Sequence, residues 1–115
     1  MIKKFAEKNL IKKSIKYATR SQIKNECWHV EGIIKNSSNE TLRFDIRKMD
    51  TTYKKKPAKR GFTFSKADKM VFETKKEWVL LDMQEIQDLL ESGKMKIFYL
   101  DDLIRDLEWN IILPK

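Results

Sequence analysis

The middle of the chain holds acidic and basic side chains of the types that phosphodiester chemistry uses. Glu31 and Asp45 are carboxylates, and Arg47 and Lys48 come shortly after Asp45. Two carboxylates can hold a hard divalent ion such as Mg²⁺, and a nearby cation can stabilise charge that develops on a phosphoryl group. The same residue types also form cross-strand salt bridges on exposed sheet faces, which contribute little to stability. On residue types alone we favour the salt bridges.

The sequence contains few of the residues that other common kinds of functional site need. The three glycines, at positions 32, 61 and 93, are too far apart to form a Gly-rich loop that cradles a phosphate. Cys27 and His29 are the only residues of their types. A zinc site needs about four ligands, commonly Cys and His, so these two cannot supply it. We favour a structural role for His29 over a Cys–His nucleophile pair.

Two strands must position the acidic and basic residues of the middle region. Alternation of apolar and polar residues predicts strands over 27–34 and 41–49, and the composition of 36–39 predicts the turn that joins them into an antiparallel hairpin. If the alternating apolar side chains of both strands face the core, the positions between them lie on the opposite face; these are His29, Glu31, Arg43, Asp45 and Arg47.

The other periodicities and turn signals predict the rest of the fold. The expected elements are a helix over 2–18, a polar connection over 19–25, an exposed basic loop over 50–60, a strand over 61–64, a short capped turn at 65–68, strands over 69–72 and 78–81, a helix from 83 that ends at Gly93, a strand over 96–100, a helix over 101–109 and a strand over 111–113. We therefore predict a single α/β (α+β) domain over 1–115, with a mixed, mostly antiparallel sheet, an N-terminal helix and two C-terminal helices, in the order α-β-β-β-β-β-α-β-α-β.

Charge is divided unevenly along the chain. Residues 1–76 carry 21 Lys and Arg against 8 Asp and Glu, a balance of +13, whereas residues 77–115 carry 4 against 9, a balance of −5. A positive face attracts polyanions, of which nucleic acids are the commonest. A lysine-rich surface without a partner and an anionic membrane surface are the alternatives. The candidate nucleic-acid-binding residues are Lys12, Lys13, Lys16, Lys54, Lys55, Lys56, Lys59, Arg60 and Lys66.

The composition also predicts where the protein works. The longest apolar runs are a few residues long, far below the roughly 20 that cross a bilayer. The basic N-terminus is not followed by the apolar stretch of a signal peptide. A single cysteine cannot form an internal disulfide. We expect a soluble cytoplasmic protein with no membrane partner.

Short motifs add a family resemblance. The sequence Phe-Asp-Ile-Arg-Lys at 44–48, Ala-Asp-Lys-Met-Val-Phe at 67–72, and Trp-Val-Leu-Leu-Asp at 78–82 before a helix resemble small members of the PD-(D/E)xK nuclease superfamily. The resemblance implies that Glu31 is the first acid, that Asp45-Ile46-Arg47 is the triplet, and that Glu7 is the acid on the leading helix. It implies Mg²⁺ at Glu31 and Asp45, and a catalytic set of Glu31, Asp45, Arg47 and Lys48.

The match departs from that family at Arg47, which stands where lysine is expected and which does not replace an ammonium group freely. The resemblance therefore implies either a Mg²⁺-dependent endonuclease or an inactive relative without a cofactor. A second resemblance, carried by 44–47, the basic loop and 61–65, is to single-stranded DNA-binding domains related to the positive coactivator four family. It implies a binding protein without catalysis.

The leading hypothesis is a nucleic-acid-binding protein, with DNA favoured over RNA and a homodimer as one expected assembly. The further alternative is an interaction or inhibitor protein that docks on another protein through the acidic helix, residues 82–91, or the basic loop.

Overall fold

A computed structural model of the chain describes residues 2–37, 39–48, 56–57, 65–92, 97–98 and 100–115. The elements in chain order are α1 (Ile2–Asn9), a 3₁₀ turn (Lys12–Ser14), β1 (Lys16–Tyr17), α2 (Arg20–Glu26), β2 (Val30–Gly32), β3 (Leu42–Lys48), β4 (Lys56–Pro57), β5 (Lys69–Glu73), β6 (Glu77–Asp82), α3 (Met83–Glu91), β7 (Ile97–Phe98), α4 (Leu100–Asp106) and β8 (Asn110–Pro114).

Six of these strands form one mixed sheet in the order β1-β2-β3-β5-β6-β8. Strands β3 and β5 are parallel, and the other neighbouring pairs are antiparallel. A separate antiparallel pair joins β4 and β7. The predicted fold class is confirmed: the chain forms an α+β domain with a mixed, mostly antiparallel sheet and helices at both ends.

One face of the sheet packs against α1. Every second residue of a strand points to the same face of the sheet. On this face Phe44 of β3 and Trp78 of β6 lie in one cluster of buried apolar residues. The ring of Phe5 from α1 meets both edge-on, with centroids 5.4 Å from Phe44 and 5.9 Å from Trp78. Burial of a side chain such as Phe5 contributes about 1.5–3 kcal/mol, and this burial holds α1 on the sheet.

The opposite face packs against α3 and α4. Phe72 of β5 lies in one apolar cluster with Ile86 of α3 and Leu103 of α4. The Glu85 carboxylate ties α3 to the chain after α4, because it accepts hydrogen bonds from the backbone N–H groups of Glu108 at 2.9 Å and Trp109 at 3.1 Å. The acidic helix α3 therefore lies over the β5–β6 part of the sheet.

The predicted helix over 2–18 is wrong beyond Asn9. The next residues line the outer edge of β2: Leu10 bridges to Ile34, and the Ile11 N–H donates to the Ile33 carbonyl at 2.8 Å. A short isolated helix is marginal in water, whereas the open edge of a sheet offers backbone partners. Sheet pairing therefore replaces the second half of the predicted helix.

The predicted polar connection over 19–25 is also wrong, because it forms α2. The Gln22 N–H donates to Thr19 Oγ1 at 3.1 Å, and the Thr19 N–H donates to Gln22 Oε1 at 2.9 Å, which is a capping box. The helix ends at Cys27, whose backbone is left-handed with φ 58°. Cys27 thus ends a helix instead of starting a strand, and β2 begins at Val30.

The capped turn predicted at 65–68 does not form a helix. Ser65 Oγ accepts the Ala67 N–H at 3.3 Å and donates to the Cys27 carbonyl at 3.0 Å. Asp68 Oδ2 accepts the Arg43 N–H at 2.8 Å. Both side chains bind backbone groups of other segments, and those contacts replace the predicted cap.

Several predicted elements differ in extent or cannot be compared. The strand predicted over 96–100 is seen at Ile97–Phe98, and the following helix spans Leu100–Asp106. Of the basic loop over 50–60, Lys56–Pro57 forms β4, and the rest lies outside the described residues, as do the strand over 61–64 and the helix end at Gly93. Within the described ranges, no helix has the length and apolar character needed to cross a membrane.

Candidate functional site

The β2–β3 hairpin brings the sequence-predicted site residues to one face of the sheet. The strands pair with Glu31 opposite Arg43 and Val30 opposite Phe44, as the predicted antiparallel hairpin requires. Val30 and Phe44 are buried on the α1 side, so Glu31 and Arg43 lie on the other side. We call this surface the polar hairpin face; its residues are His29, Glu31, Arg43, Asp45 and Arg47.

Asp45 is the buried acid of the polar hairpin face. Its side chain is 1% exposed and receives two hydrogen bonds from Arg47, Nε to Oδ1 at 3.2 Å and Nη2 to Oδ2 at 3.0 Å. A bidentate guanidinium uses both carboxylate oxygens and is a strong charge-assisted contact. A cation at Asp45 would have to compete with this contact.

Glu31 has a different arginine partner. Arg43 Nε donates to Glu31 Oε1 at 3.4 Å, and Arg43 Nη1 lies 3.5 Å from Glu26 Oε1. The guanidinium carbon of Arg43 also lies 4.6 Å from the centroid of the Trp28 ring, in a cation–π contact. The structure therefore places Glu31 and Asp45 on one face, each in contact with its own arginine.

His29, the remaining residue of the polar hairpin face, accepts a backbone hydrogen bond. Its Nδ1 accepts the Ile46 backbone N–H at 3.0 Å and lies 3.6 Å from Asp45 Oδ1. A ring nitrogen that accepts a hydrogen bond carries no proton, so the ring is neutral. Burial lowers the pKa of His29 below its ordinary value, and the positive charge of Arg47 lowers it further, against the opposing effect of Asp45.

The other site residues that the family resemblance implies lie apart from the polar hairpin face. Glu7 is exposed on α1, 3.9 Å from Lys3 Nζ, and α1 packs on the opposite side of the sheet. Lys48 is exposed at the end of β3. Among the residues that the structure describes, no three or more His, Cys, Asp or Glu side chains group closely enough to hold a metal ion. Mg²⁺ at Glu31 and Asp45 stays a prediction.

A polar cavity of about 200 Å³ lies where β3 and β5 begin and β6 ends. It is lined by Glu40, Leu42, Ala67, Asp68, Lys69, Asp82, Gln84 and Gln87. Lys69 Nζ donates to Asp82 Oδ1 at 2.8 Å and lies 3.8 Å from the centroid of the Trp109 ring. Asp68 binds the Arg43 N–H, as described above. Asp68, Lys69 and Asp82 of this cavity thus bind other groups of the protein.

The longest stretch of uncompensated positive charge lies between α1 and the end of α2. Residues 8–25 contain no Asp or Glu, and we call this stretch the basic edge. Its cations are all exposed: Lys8, Lys12, Lys13, Lys16, Arg20 and Lys24. In the part of the chain that the structure describes, none of them forms an ion pair.

From Leu10 onward the basic edge follows the outer margin of the sheet, whereas Lys8 reaches toward the opposite edge: its Nζ donates to the Pro114 carbonyl of β8 at 2.8 Å and lies 5.7 Å from the centroid of the Trp78 ring. After the Leu10–Ile34 bridge, Lys16 pairs with Glu31 and Tyr17 pairs with Val30, so the stretch runs antiparallel to β2 and makes β1 the outermost strand. The described residues include four exposed large apolar side chains, and three of them belong to the basic edge. These are Ile11 at 38%, Tyr17 at 47% and Ile23 at 38% exposure.

The predicted nucleic-acid-binding residues fall into two groups, those that the structure describes and those that it does not. Lys12, Lys13, Lys16 and Lys66 are exposed. The predicted residues at 54, 55, 59 and 60 lie outside the described residues, and the side chain of residue 56 does too. Sequence reasoning missed Arg20, Lys24 and Tyr17. The signal that could have found these three is the absence of acidic residues from 8 to 25.

Comparisons with protein-family models, with curated proteins and with solved structures find no match to this chain. Both family resemblances stay predictions.

Proposed function

We propose that the protein binds nucleic acid and that the basic edge is its contact surface. The observation that carries the proposal is that the five cations from Lys12 to Lys24 are exposed, with no acidic residue among them; they are Lys12, Lys13, Lys16, Arg20 and Lys24. Lys and Arg that neutralise phosphates release condensed counterions, and this release drives most non-specific binding to nucleic acids. Some cations elsewhere are paired with carboxylates, such as Lys69 with Asp82 and Arg105 with Asp106.

The sheet separates the basic edge from the acidic part of the chain. Strand β6, which leads into the acidic helix α3, lies four strand spacings from β1, or about 19 Å at roughly 4.8 Å per step. The Debye length at physiological salt is about 8 Å. A phosphate bound at the basic edge is therefore screened from the carboxylates of α3, which favours polyanion binding at this edge.

A matched pair of lysine variants tests the proposal. Lys12→Gln with Lys13→Gln removes two adjacent exposed cations from the basic edge, and Lys75→Gln with Lys76→Gln removes two from the β5–β6 turn. With about 0.7 logarithmic units of salt slope per phosphate contact on a single strand, loss of two contacts weakens binding roughly 25-fold at 0.1 M salt. The measurement is fluorescence anisotropy with labelled oligonucleotides over a salt titration.

The control pair should leave the affinity nearly unchanged and the salt slope as in the unmodified protein. Equal weakening by both pairs would contradict the assignment of the basic edge. Absence of salt-dependent binding to both DNA and RNA would overturn the proposal as a whole.

Cleavage remains a separate proposal at the polar hairpin face. If Glu31 and Asp45 bind Mg²⁺, then Mg²⁺-dependent cleavage of an oligonucleotide is lost in Glu31→Gln, which avoids the more buried Asp45. Cleavage that survives this change would refute the site. Preference for DNA, homodimer formation and a cytoplasmic location stay predictions.

A further inference from the structure

We infer that the basic edge binds single-stranded nucleic acid and that Tyr17 stacks on an unpaired base. This inference rests on the proposed function, and it adds the class of nucleic acid and the residue that recognises it. It is carried by the position of one exposed aromatic side chain within an uncompensated run of cations.

Tyr17 is unusually accessible for an aromatic residue in a sheet. It pairs with Val30, which is fully buried, yet it keeps 47% of its surface exposed because β1 is the outermost strand. Lys16 precedes it in β1, and Lys12 and Lys13 lie in the 3₁₀ turn before it. A single exposed apolar residue needs no explanation, but three of the four large ones lie in this one segment.

An aromatic ring of this kind discriminates between nucleic-acid forms. In a duplex the base faces are stacked inside, and a protein reaches only base edges and the backbone. In a single strand the base faces are accessible, and aromatic side chains beside a positively charged groove stack on them without needing a particular sequence. Tyr17 supplies the aromatic ring and the exposed Lys16 and Arg20 supply positive charge along the same edge, with Tyr17 and Lys16 on opposite faces of β1.

The length of the basic edge sets the size of the site. Backbone hydrogen bonds align Ile11 with Ile33 and Ala18 with His29, so the stretch covers four residue steps of the β2 segment, or roughly 13 Å. About four nucleotides cover that length at the 3.4 Å rise of a stacked strand. With Lys12, Lys13 and Lys16 in contact, the salt slope on a single strand is about −2.

The test compares Tyr17→Ala, Tyr17→Leu and Tyr17→Phe on two probes. The probes are a fluorescein-labelled 12-nucleotide oligothymidine and a labelled hairpin duplex. Loss of one stacked base weakens oligothymidine binding about 5- to 150-fold in Tyr17→Ala. Tyr17→Leu keeps apolar bulk without a ring and is expected to weaken binding too, whereas Tyr17→Phe keeps the ring and stays within about twofold of the unmodified protein. Duplex binding changes little in all three variants.

Ile112→Ala is the matched control, since Ile112 is 43% exposed on β8 at the other edge of the sheet. It should leave both affinities unchanged. Far-UV circular dichroism and thermal unfolding check that each variant folds. If Tyr17→Ala fails to fold, Tyr17→Leu against Tyr17→Phe decides the question.

The outcomes separate this inference from the proposed function. If the Lys12–Lys13 variant weakens binding but Tyr17→Ala and Tyr17→Leu do not, the stacking inference is wrong and the proposed function stands. If the protein binds neither probe in a salt-dependent way, both are wrong. Binding to phosphatidylserine vesicles without binding to either probe would make the basic edge a membrane-surface site and would overturn both.

Discussion

At the scale of single residues, strand alternation predicts which side chains share a face but not which of them bind each other. The sequence placed Glu31, Asp45 and Arg47 on one side of the hairpin, and the structure agrees. The choice of partner depends on side-chain rotamers and on neighbours such as Trp28, which stacks with Arg43. These contacts lie beyond what periodicity contains, so the salt-bridge and metal-site interpretations could not be separated from sequence.

His29 gives a prediction at this scale. Its pKa in the folded protein lies below the ordinary value of 6.5, mainly because of burial. Between these two pKa values the unfolded chain binds more protons than the folded protein, so stability rises with pH up to about 6.5 and falls on acidification below it. Protonation of Nδ1 would also break the hydrogen bond from the Ile46 N–H.

The measurement is urea unfolding between pH 5 and pH 7.5 for the unmodified protein and for His29→Asn. The Asn Oδ1 can accept the Ile46 N–H without titrating. We expect the stability of the unmodified protein to fall relative to that of the variant as the pH drops. Parallel pH profiles for the two proteins would contradict the role assigned to His29, Asp45 and Arg47.

At the scale of elements, local signals predicted those parts of the fold whose stabilising contacts are local. The β5–β6 hairpin formed as expected, and so did α3, whose Glu85 N–H donates to Asp82 Oδ2 at 3.1 Å at the predicted cap. The first helix was overextended because the competing partner, the edge of β2, lies about 20 residues away in the chain. A local pattern cannot report a partner at that separation.

The Thr19 cap provides a prediction for α2. Thr19→Ala removes the side-chain acceptor for the Gln22 N–H at the start of the helix. Loss of an N-cap of this kind costs about 1 kcal/mol of the free energy of unfolding. Chemical denaturation of the unmodified protein and the variant measures this difference.

Thr19→Ser keeps the hydroxyl and should retain most of the stability. If Thr19→Ala is as stable as Thr19→Ser, the capping box does not hold α2.

At the scale of the whole molecule, the uneven charge was visible in the sequence but its location was not. The balance of +13 for residues 1–76 spreads over many elements. Folding places one acid-free part of it along the outer edge of the sheet, where β1 has one neighbouring strand in the described sheet. Whether Tyr17 and Lys16 are exposed depends on which strand lies outermost, and that order is a property of the complete fold.

The most direct test of nucleic-acid binding by the basic edge is an NMR titration of ¹⁵N-labelled protein with the 12-nucleotide oligothymidine. We predict that amide shift changes concentrate in residues 8–25 and leave the acidic helix α3 unchanged. Shift changes centred on α3, or no shift changes at a large excess of the oligonucleotide in low salt, would contradict the account.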